Sequence, residues 1–322
     1  EVESERTVII SERQGSENSP FFWLSEEVQA AAFRVHGYHH EIIGDMADLE
    51  TMTRDDLFNH YRLHYAPNNA IAVAVGDFDT AEMLAKITAL YGGIPSGEAF
   101  EAFARPEPAQ SGERRVTVER PSGSALIEVG YRAPAASDPD FFALDMVCSV
   151  LAGADSPAGS SIDNKTSRLY KALVMKELAA SVDGGMYATI DPFLLVFYMT
   201  IRPGVDPETV LAAFDAEIER LRSGDVTEAE LARVKKQNRA LFAYGMERVT
   251  NQASMLATAE ALGDHLWYEH YVDRLNAVTL EEVKAAAEKY LRRQSRTVGL
   301  LIPSGDEEDG EMMDDFDEED AE

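Results

Sequence analysis

Two glutamates near the start of the chain have a spacing that suits a shared site. The stretch ESERTVIISER, residues 3–13, places Glu5 and Glu12 seven positions apart with an apolar run between them. Seven residues of α-helix make nearly two turns, so both carboxylates would share one face, about 10 Å apart along the axis. They are either ordinary surface charge or part of a site whose other groups lie elsewhere.

An internal repeat shows which elements would position this pair. Residues 52–76 and 278–302, which lie 226 positions apart, share one order of features. Each begins with a threonine suited to cap a helix, Thr53 or Thr279, followed by acids, an amphipathic helix, a polar break and an apolar strand. The simplest interpretation is two copies of one αβ unit.

The repeat also tests whether the fold itself needs the two acids. At the same offset Glu12 aligns with Asn238 and Glu5 with Leu231, so the second copy keeps the helix without the carboxylates. This favours a functional role over a structural one. The structural alternative is that acids at the start of a helix oppose its dipole favourably.

The pattern predicts an α+β protein of two homologous αβ domains, each a mostly antiparallel sheet packed with helices. The first domain is expected to be incomplete, because nothing aligns with residues 114–226; about 110 residues are therefore expected to precede Glu1. The predicted division is the C-terminal part of the first αβ domain (1–97), a linker (98–113), a second domain (114–305) and a disordered acidic tail (306–322).

Within the second domain the periodicity predicts four strands and six helices before the repeated helix–strand unit. The strands are 115–121, 124–132, 179–189 and 193–202, the last two forming a hairpin; the helices are 138–153, 166–177, 206–222, 227–244, 249–262 and 266–275.

Composition excludes several classes of function. The net charge of −29 argues against nucleic acid or an anionic membrane as the main partner. The longest apolar run, residues 193–201, is about half the length of a membrane-spanning helix. A single cysteine, Cys148, excludes an internal disulfide. A soluble protein is expected, with the compartment left open between bacterial cytoplasm and extracytoplasmic space.

Several stretches together resemble the pitrilysin/insulinase family of zinc metallopeptidases, the inverzincins. They are ESERTVIISE, DLETMTRDDLFNHYRLHYAPNNAIAVAVGDFD (48–79), SRLYKALVMKELAASV (167–182) and GDVTEAELARVKKQ (224–237). The resemblance implies a helix with His-x-x-Glu-His, whose two histidines bind zinc and whose glutamate is the general base. A later helix then supplies a glutamate as the third protein ligand, with another glutamate seven residues earlier.

Carried onto this chain, the resemblance makes Glu12 the zinc ligand and Glu5 an auxiliary catalytic residue that orients a ligand or the attacking water. The His-x-x-Glu-His motif does not occur in the 322 residues and is expected in the preceding segment. One Zn²⁺ per full-length subunit is therefore expected, with no tight binding and no hydrolysis by this chain alone.

Two histidine groups are weaker candidates for a metal site. His60 and His64 have the spacing of two zinc ligands, but Tyr61 stands where a zinc peptidase would have glutamate. His39 and His40, in the HGYHHEIIG stretch, are adjacent and have no cysteine or aspartate at ligand spacing. Packed or surface histidines are the preferred interpretation of the first group. The resemblance places the second group at a turn beside the cleft, which implies a structural or substrate-lining role.

The substrate-binding residues that the resemblance implies are missing. In many family members the helix after SRLY carries an arginine, with a tyrosine seven positions on. The aligned positions here are Val174 and, allowing one deletion, Ala180. Neither side chain has a hydrogen-bond donor. A homo- or heterodimer is therefore expected, in which a related subunit supplies the Arg–Tyr pair. Arg168 is interpreted as a structural residue.

The predicted function is a subunit of a zinc metalloendopeptidase that hydrolyses peptides or unfolded segments inside a clamshell chamber. Substrate would add as a strand to an exposed sheet edge. The alternative is a non-catalytic structural or processing-partner subunit of the same fold. A plain αβ binding module is a third possibility.

Overall fold

The structure, a computed structural model, describes residues 1–98, 105–155 and 165–304. The acidic segment 306–322 and residues 99–104 of the predicted linker lie outside that part of the chain. The helices are α1 (Val2–Glu17), α2 (Pro20–Ala32), α3 (Met46–Thr51), α4 (Arg54–His64), α5 (Thr80–Tyr91), α6 (Phe141–Leu151), α7 (Pro207–Arg222), α8 (Glu228–Gly245), α9 (Val249–Ala261), α10 (Leu266–Glu269), α11 (Tyr271–Ala277) and α12 (Leu280–Tyr290). The strands are β1 (Arg114–Arg120), β2 (Leu126–Arg132), β3 (Ala179–Met186), β4 (Leu194–Ile201) and β5 (Arg296–Pro303).

The five strands form one sheet in the order β1–β5–β2–β4–β3. β1 and β5 run parallel, and the other three neighbouring pairs are antiparallel, including the predicted β3–β4 hairpin. A mostly antiparallel sheet packed with helices confirms the α+β class. The division into two domains stays a prediction.

A layer of helices covers one face of the sheet. Ile127, Val129 and Phe197 point into this core, where the Phe197 ring lies 5.3 Å from the ring of Phe214 on α7. α6 runs through the same core, where all its side chains are buried except Asp145, which is partly buried. Because side chains alternate along a strand, the remaining residues of β2 and β4 point to the opposite face of the sheet.

Helix α2 covers that opposite face. Leu24 and Val28 are fully buried against Leu126 and Leu301 of the sheet. Helix α2 lies close to β5 because Gly299 has no side chain. A Cβ built on Gly299 would lie 2.3 Å from Val28 Cγ2. The glycine in the middle of β5 thus sets the separation between the helix and the sheet.

Two arginines of the sheet hold the end of α2. Arg114 of β1 donates to the carbonyl oxygen of Ala32 at 2.8 Å, and Arg132 of β2 donates to the same oxygen at 2.6 Å. The last turn of α2 contains no basic residue of its own. The sheet therefore supplies the donors that the free carbonyl groups at a helix C-terminus require.

The repeat is visible as matched helices. α4 (54–64) and α12 (280–290) begin and end at positions that differ by 226, and α1 and α8 begin at positions with the same difference. Thr53 and Thr279 both close capping boxes, with Asp56 and Glu282 respectively. The local signals predicted both helix starts correctly.

Three predicted elements differ in the structure. The helix predicted at 266–275 is divided at His270 into α10 and α11. The apolar segment 70–76 was expected to be a strand like its counterpart β5, but it is extended chain that pairs with no strand among the described residues, and Ile71 is half exposed. A strand needs a partner for its ladder, and the segment has none there. The predicted helix at 166–177 is mainly a short π-helical turn, Tyr170–Val174.

Candidate functional site

Helix α1 carries two pairs of charged residues that face different directions. Glu5 and Glu12 are exposed, whereas Arg6 is partly buried and Arg13 is only 4% exposed. Each arginine follows a glutamate by one residue, which turns its side chain about 100° around the helix axis. The arginine face is packed against the protein, and the glutamate face is presented to solvent.

Arg13 holds the rotation of α1. Its guanidinium donates to Glu17 at 3.0 Å, to Glu26 of α2 at 2.8 Å and to the carbonyl oxygen of Gly44 at 2.7 Å, and it lies 5.3 Å from the ring centre of Phe22. Burial opposes its charge, but the two carboxylates outweigh burial and raise the pKa of Arg13. Because a buried guanidinium needs such partners, only one rotation of α1 satisfies it.

Arg6 makes the second anchor of the helix. Its guanidinium donates to the carbonyl oxygens of Leu49 and Met52, which belong to α3 and the residue after it. The two arginines are seven residues apart, like the two glutamates, and this spacing is the signal in the sequence for a second shared face of the helix. Beside Glu5 the structure forms a cavity of about 390 Å³, whose wall includes the apolar residues Val2, Ile9, Leu49, Met52 and Leu57.

Zinc does not fit the described residues by themselves. Among them there is no group of three His, Cys, Asp or Glu side chains that could hold a metal ion. Catalytic zinc takes about three protein ligands, and Glu12 offers one exposed carboxylate. His60 and His64 stack on α4 with ring centres 4.3 Å apart, but no third ligand joins them in this part of the chain. No hydrolytic step follows from these residues alone.

The HGYHHEIIG stretch contributes one buried histidine. His36 is 8% exposed, and its Nδ1 accepts from the backbone N–H of Tyr38 at 3.1 Å. This bond places the ring proton on Nε2, which donates to Asp191 Oδ2 at 3.3 Å. Glu107 accepts from the backbone N–H groups of residues 34–36 at 2.8–3.1 Å. His36 therefore ties this stretch to the β3–β4 loop, while His39 and His40 are exposed.

The positions aligned with the Arg–Tyr pair lie at the end of the π-helical turn and at the start of β3. Val174 packs against the core from the π-helical turn, and Ala180 is exposed on the strand. Arg168, just before that turn, is 8% exposed and donates to both oxygens of Glu230 at 2.8 and 2.9 Å. Burial opposes ionisation of Glu230, but Arg168 and Thr227 lower its pKa to about 2. Arg168 thus joins the segment before the π-helical turn to the first turn of α8.

A comparison with models of protein families identifies the family to which this chain belongs. The family model described as the peptidase M16 inactive domain matches residues 51–238. The chain belongs to the peptidase M16 family. The resemblance to the pitrilysin/insulinase group of zinc peptidases is thereby confirmed.

Curated M16 relatives match along almost the whole chain. Zinc protease PqqE of Helicobacter pylori is 26% identical over 305 residues, which are 93% of this chain and 66% of that protein. The beta subunit of the mitochondrial-processing peptidase of Blastocladiella emersonii is 24% identical, covering 94% of this chain and 64% of that protein. The chain thus spans about two thirds of the length of the curated relatives it matches.

Solved M16 structures agree with the fold. A protease from Helicobacter pylori superposes with a TM-score of 0.86 at 25% identity, over 94% of this chain and 71% of that one. The peptidase M16 inactive domain from Pseudomonas fluorescens has a TM-score of 0.81 at 19% identity, over 94% and 70%, which supports the fold alone. None of the helices described here is both long and apolar enough to cross a bilayer.

Proposed function

We propose that this chain is part of a subunit of a zinc-dependent metalloendopeptidase that hydrolyses peptides or unfolded segments. The observation that carries the proposal is the outward face of α1, where Glu5 and Glu12 are held in solvent because Arg13 is anchored on the buried face of the same helix. The named zinc proteases among the relatives support it.

In this proposal Glu12 is one carboxylate ligand of the zinc, and the other ligands and the general base come from outside the described residues. Glu5, two turns away, is too distant to bind the same ion and orients a neighbouring group. A bound zinc with an open position would polarise the peptide and lower the pKa of its water.

The same proposal includes where a peptide substrate binds and how two subunits assemble. β3 is an edge of the sheet, and an extended peptide added there would pair through its backbone and give loose sequence preference. The donors absent at Val174 and Ala180 would come from a related subunit in a homo- or heterodimer. Two such halves would close around the substrate as a clamshell.

The test compares Glu12→Gln with Glu27→Gln in the product of the complete gene. Glu27 is an exposed glutamate on α2, so its replacement makes the same charge change away from the proposed ligand. We expect Glu12→Gln to lower both zinc content and peptide hydrolysis by more than the roughly 10- to 100-fold that loss of an outer partner costs. Glu27→Gln should change neither.

Two results would contradict the proposal in different ways. Unchanged zinc content and activity in Glu12→Gln would remove the ligand assignment. A wild-type protein without zinc or hydrolysis would favour the non-catalytic partner subunit, which the description of the matched family model as an inactive domain also favours.

A further inference from the structure

A second candidate site is built around Glu128, at the centre of the sheet. Glu128 is the middle residue of β2, pairs with Tyr198 on β4 and Gly299 on β5, and is only 2% exposed. Ser25 of α2 donates to Glu128 Oε2 at 2.7 Å, and no donor among the described residues reaches Oε1. The second oxygen, Oε1, is therefore available to a hydrogen-bond donor that enters the cavity lined by this carboxylate.

The carboxylate lines a cavity of about 490 Å³. α2, the loop of the β3–β4 hairpin and the segment 38–42 form its walls, and Tyr38, Tyr187, Phe193 and Tyr198 supply aromatic rings to them. The rings of Tyr38 and Phe193 are 5.2 Å apart, and those of Tyr187 and Phe193 are 6.1 Å apart. The contacts of His36 and Glu107 described above hold the segment that closes the cavity.

Apart from His40, the charged side chains that line the cavity are carboxylates. A second carboxylate, Glu41, also lines it and is partly buried. Burial, helped by the charge of Glu41 and opposed by the bond from Ser25, raises the pKa of Glu128 to about 7. Burial and the charge of Glu26 raise the pKa of Glu41 as well. The described lining contains no lysine or arginine, so a guest with a positive charge would favour both ionised carboxylates.

We propose that this cavity binds an alkylammonium ion, with Glu128 as the charged floor and the aromatic rings around the cation and its alkyl chain. Carboxylates provide the opposite charge, and tyrosine and phenylalanine faces attract cations. A divalent metal fits less well, since the described residues form no group of three metal ligands. Two sources share this chemistry: a free small amine and the lysine side chain of a peptide. The site does not depend on the zinc peptidase function proposed above.

Titration calorimetry of the whole chain without zinc tests the proposal. The probes are butylammonium with 1-butanol as its neutral counterpart, and acetyl-Gly-Lys-Gly-amide with the norleucine peptide as its counterpart. We expect at least one charged probe to bind about tenfold or more tightly than its neutral counterpart. Binding of the lysine peptide alone would assign the site to peptides, and binding of butylammonium would assign it to free amines.

The variant Glu128→Gln keeps the shape and the acceptor for Ser25 but removes the charge. It should weaken the charged probe about tenfold or more, while Glu27→Gln leaves the affinity unchanged. Affinity of the wild type should also rise between about pH 6 and pH 8 as Glu128 ionises, and Glu128→Gln should lose most of this rise.

The other titratable groups facing the cavity are Glu41, His40 and the tyrosines Tyr38, Tyr187 and Tyr198. His40→Gln separates the titration of the histidine from that of Glu128, because the pH effect should survive it. If Glu128→Gln fails to fold, Glu41→Gln should still weaken the charged probe several-fold. The proposal is overturned if neither charged probe binds, if the neutral probes bind as well, or if these carboxylate variants keep wild-type affinity.

Discussion

Arg13 and Glu26 are joined by a buried ion pair of 2.8 Å, while Glu12, the neighbour of Arg13 in sequence, faces solvent. The pair connects α1 to α2, and α2 is packed on the sheet through Leu24 and Val28. The direction in which the proposed zinc ligand points is therefore determined by a chain of contacts that ends in the core of the sheet.

Replacement of Arg13 by methionine should destabilise the protein strongly. The change leaves Glu17 and Glu26 without their cation, and loss of one partner of a buried pair costs about 3–5 kcal/mol of the free energy of unfolding. Urea unfolding measures the loss. Arg239→Met, at an exposed position of α8, is the matched control and should change stability by less than about 0.5 kcal/mol. Equal stability of the two variants would show that Arg13 does not hold α1.

Replacement of Gly299 by alanine should push α2 away from the sheet. The new Cβ would lie 2.3 Å from Val28 Cγ2 and 2.8 Å from Leu24 Cδ1, so one layer must move. Overpacking of this kind costs about 1–3 kcal/mol, measured as a lower unfolding midpoint in urea. Gly112→Ala, where a Cβ meets nothing within 4 Å, is the control. Adding Val28→Ala to Gly299→Ala should recover part of the loss, and an additive double variant would argue against the clash.

The buried Glu128 should make the protein less stable as the pH rises. Its pKa is about 7 in the folded protein and 4.5 ordinarily, so the folded state holds the proton more tightly. The cost of ionisation is absent below about pH 4.5, grows as the pH rises and is complete above about pH 7. At about 1.4 kcal/mol for each pH unit, it amounts to roughly 3 kcal/mol.

Urea unfolding at a series of pH values checks this prediction with Glu128→Gln. The variant should lose less stability between about pH 5 and pH 7.5 than the wild type does. Part of the decline should remain, because burial and the neighbouring Asp155 raise the pKa of Asp145 to about 7 as well. An unchanged pH dependence in Glu128→Gln would contradict the buried-acid interpretation.

Glu113 should make the protein less stable as the pH falls, the reverse of the effect of Glu128. Burial opposes its ionisation, but Arg115, Arg296 and Arg293 outweigh burial and lower the pKa of Glu113 to about 2. Its stabilising contribution is present above about pH 4.5 and is lost as the pH falls towards about 2. Glu113→Gln should therefore be less stable than wild type at pH 6 by roughly 3 kcal/mol, with the difference shrinking on acidification. A constant difference at all pH values would count against this role.

Replacement of Arg168 by lysine should weaken its ion pair with Glu230 and lower the stability of the protein. The guanidinium reaches both oxygens of Glu230, a geometry that an ammonium group cannot copy. Arg168→Lys should lose about 1–2 kcal/mol of unfolding free energy and Arg168→Ala about 3 kcal/mol or more, because alanine leaves a partly buried carboxylate unpaired. Arg222→Lys, on the partly exposed pair with Glu219, should be nearly neutral. If Arg168→Lys were as stable as wild type, charge alone would explain the pair.

Local signals predicted the start of α4 and most of the helices and strands from residue 114 onwards. Threonine followed three residues later by an acid marks the starts of α4, α8 and α12, and all three capping boxes form. Such signals work because both partners of each bond lie within one helical turn. The segment 70–76 shows where local signals fail. Its residue types are those of a β-strand, but a strand forms only when it pairs with another strand, which can be distant in sequence.

The Glu128 site had a weak signal that was overlooked. Within the strand sequence LIEVGYR, Glu128 shares its face with Leu126 and Gly130, and a glutamate on an apolar face is unusual. What it contacts could not be read from that pattern, because Ser25 lies 103 positions away and Glu41 belongs to another segment again.

The sequence by itself determined which residues share a helix face, where the capped helices begin and which family the chain resembles, because these follow from short-range periodicity and quoted motifs. Only the tertiary structure decided which face of α1 is buried and that a carboxylate in the sheet lines a cavity. The physical reason is that burial and pairing depend on packing between distant segments, and that packing determines whether a charged side chain meets water, an ion partner or neither.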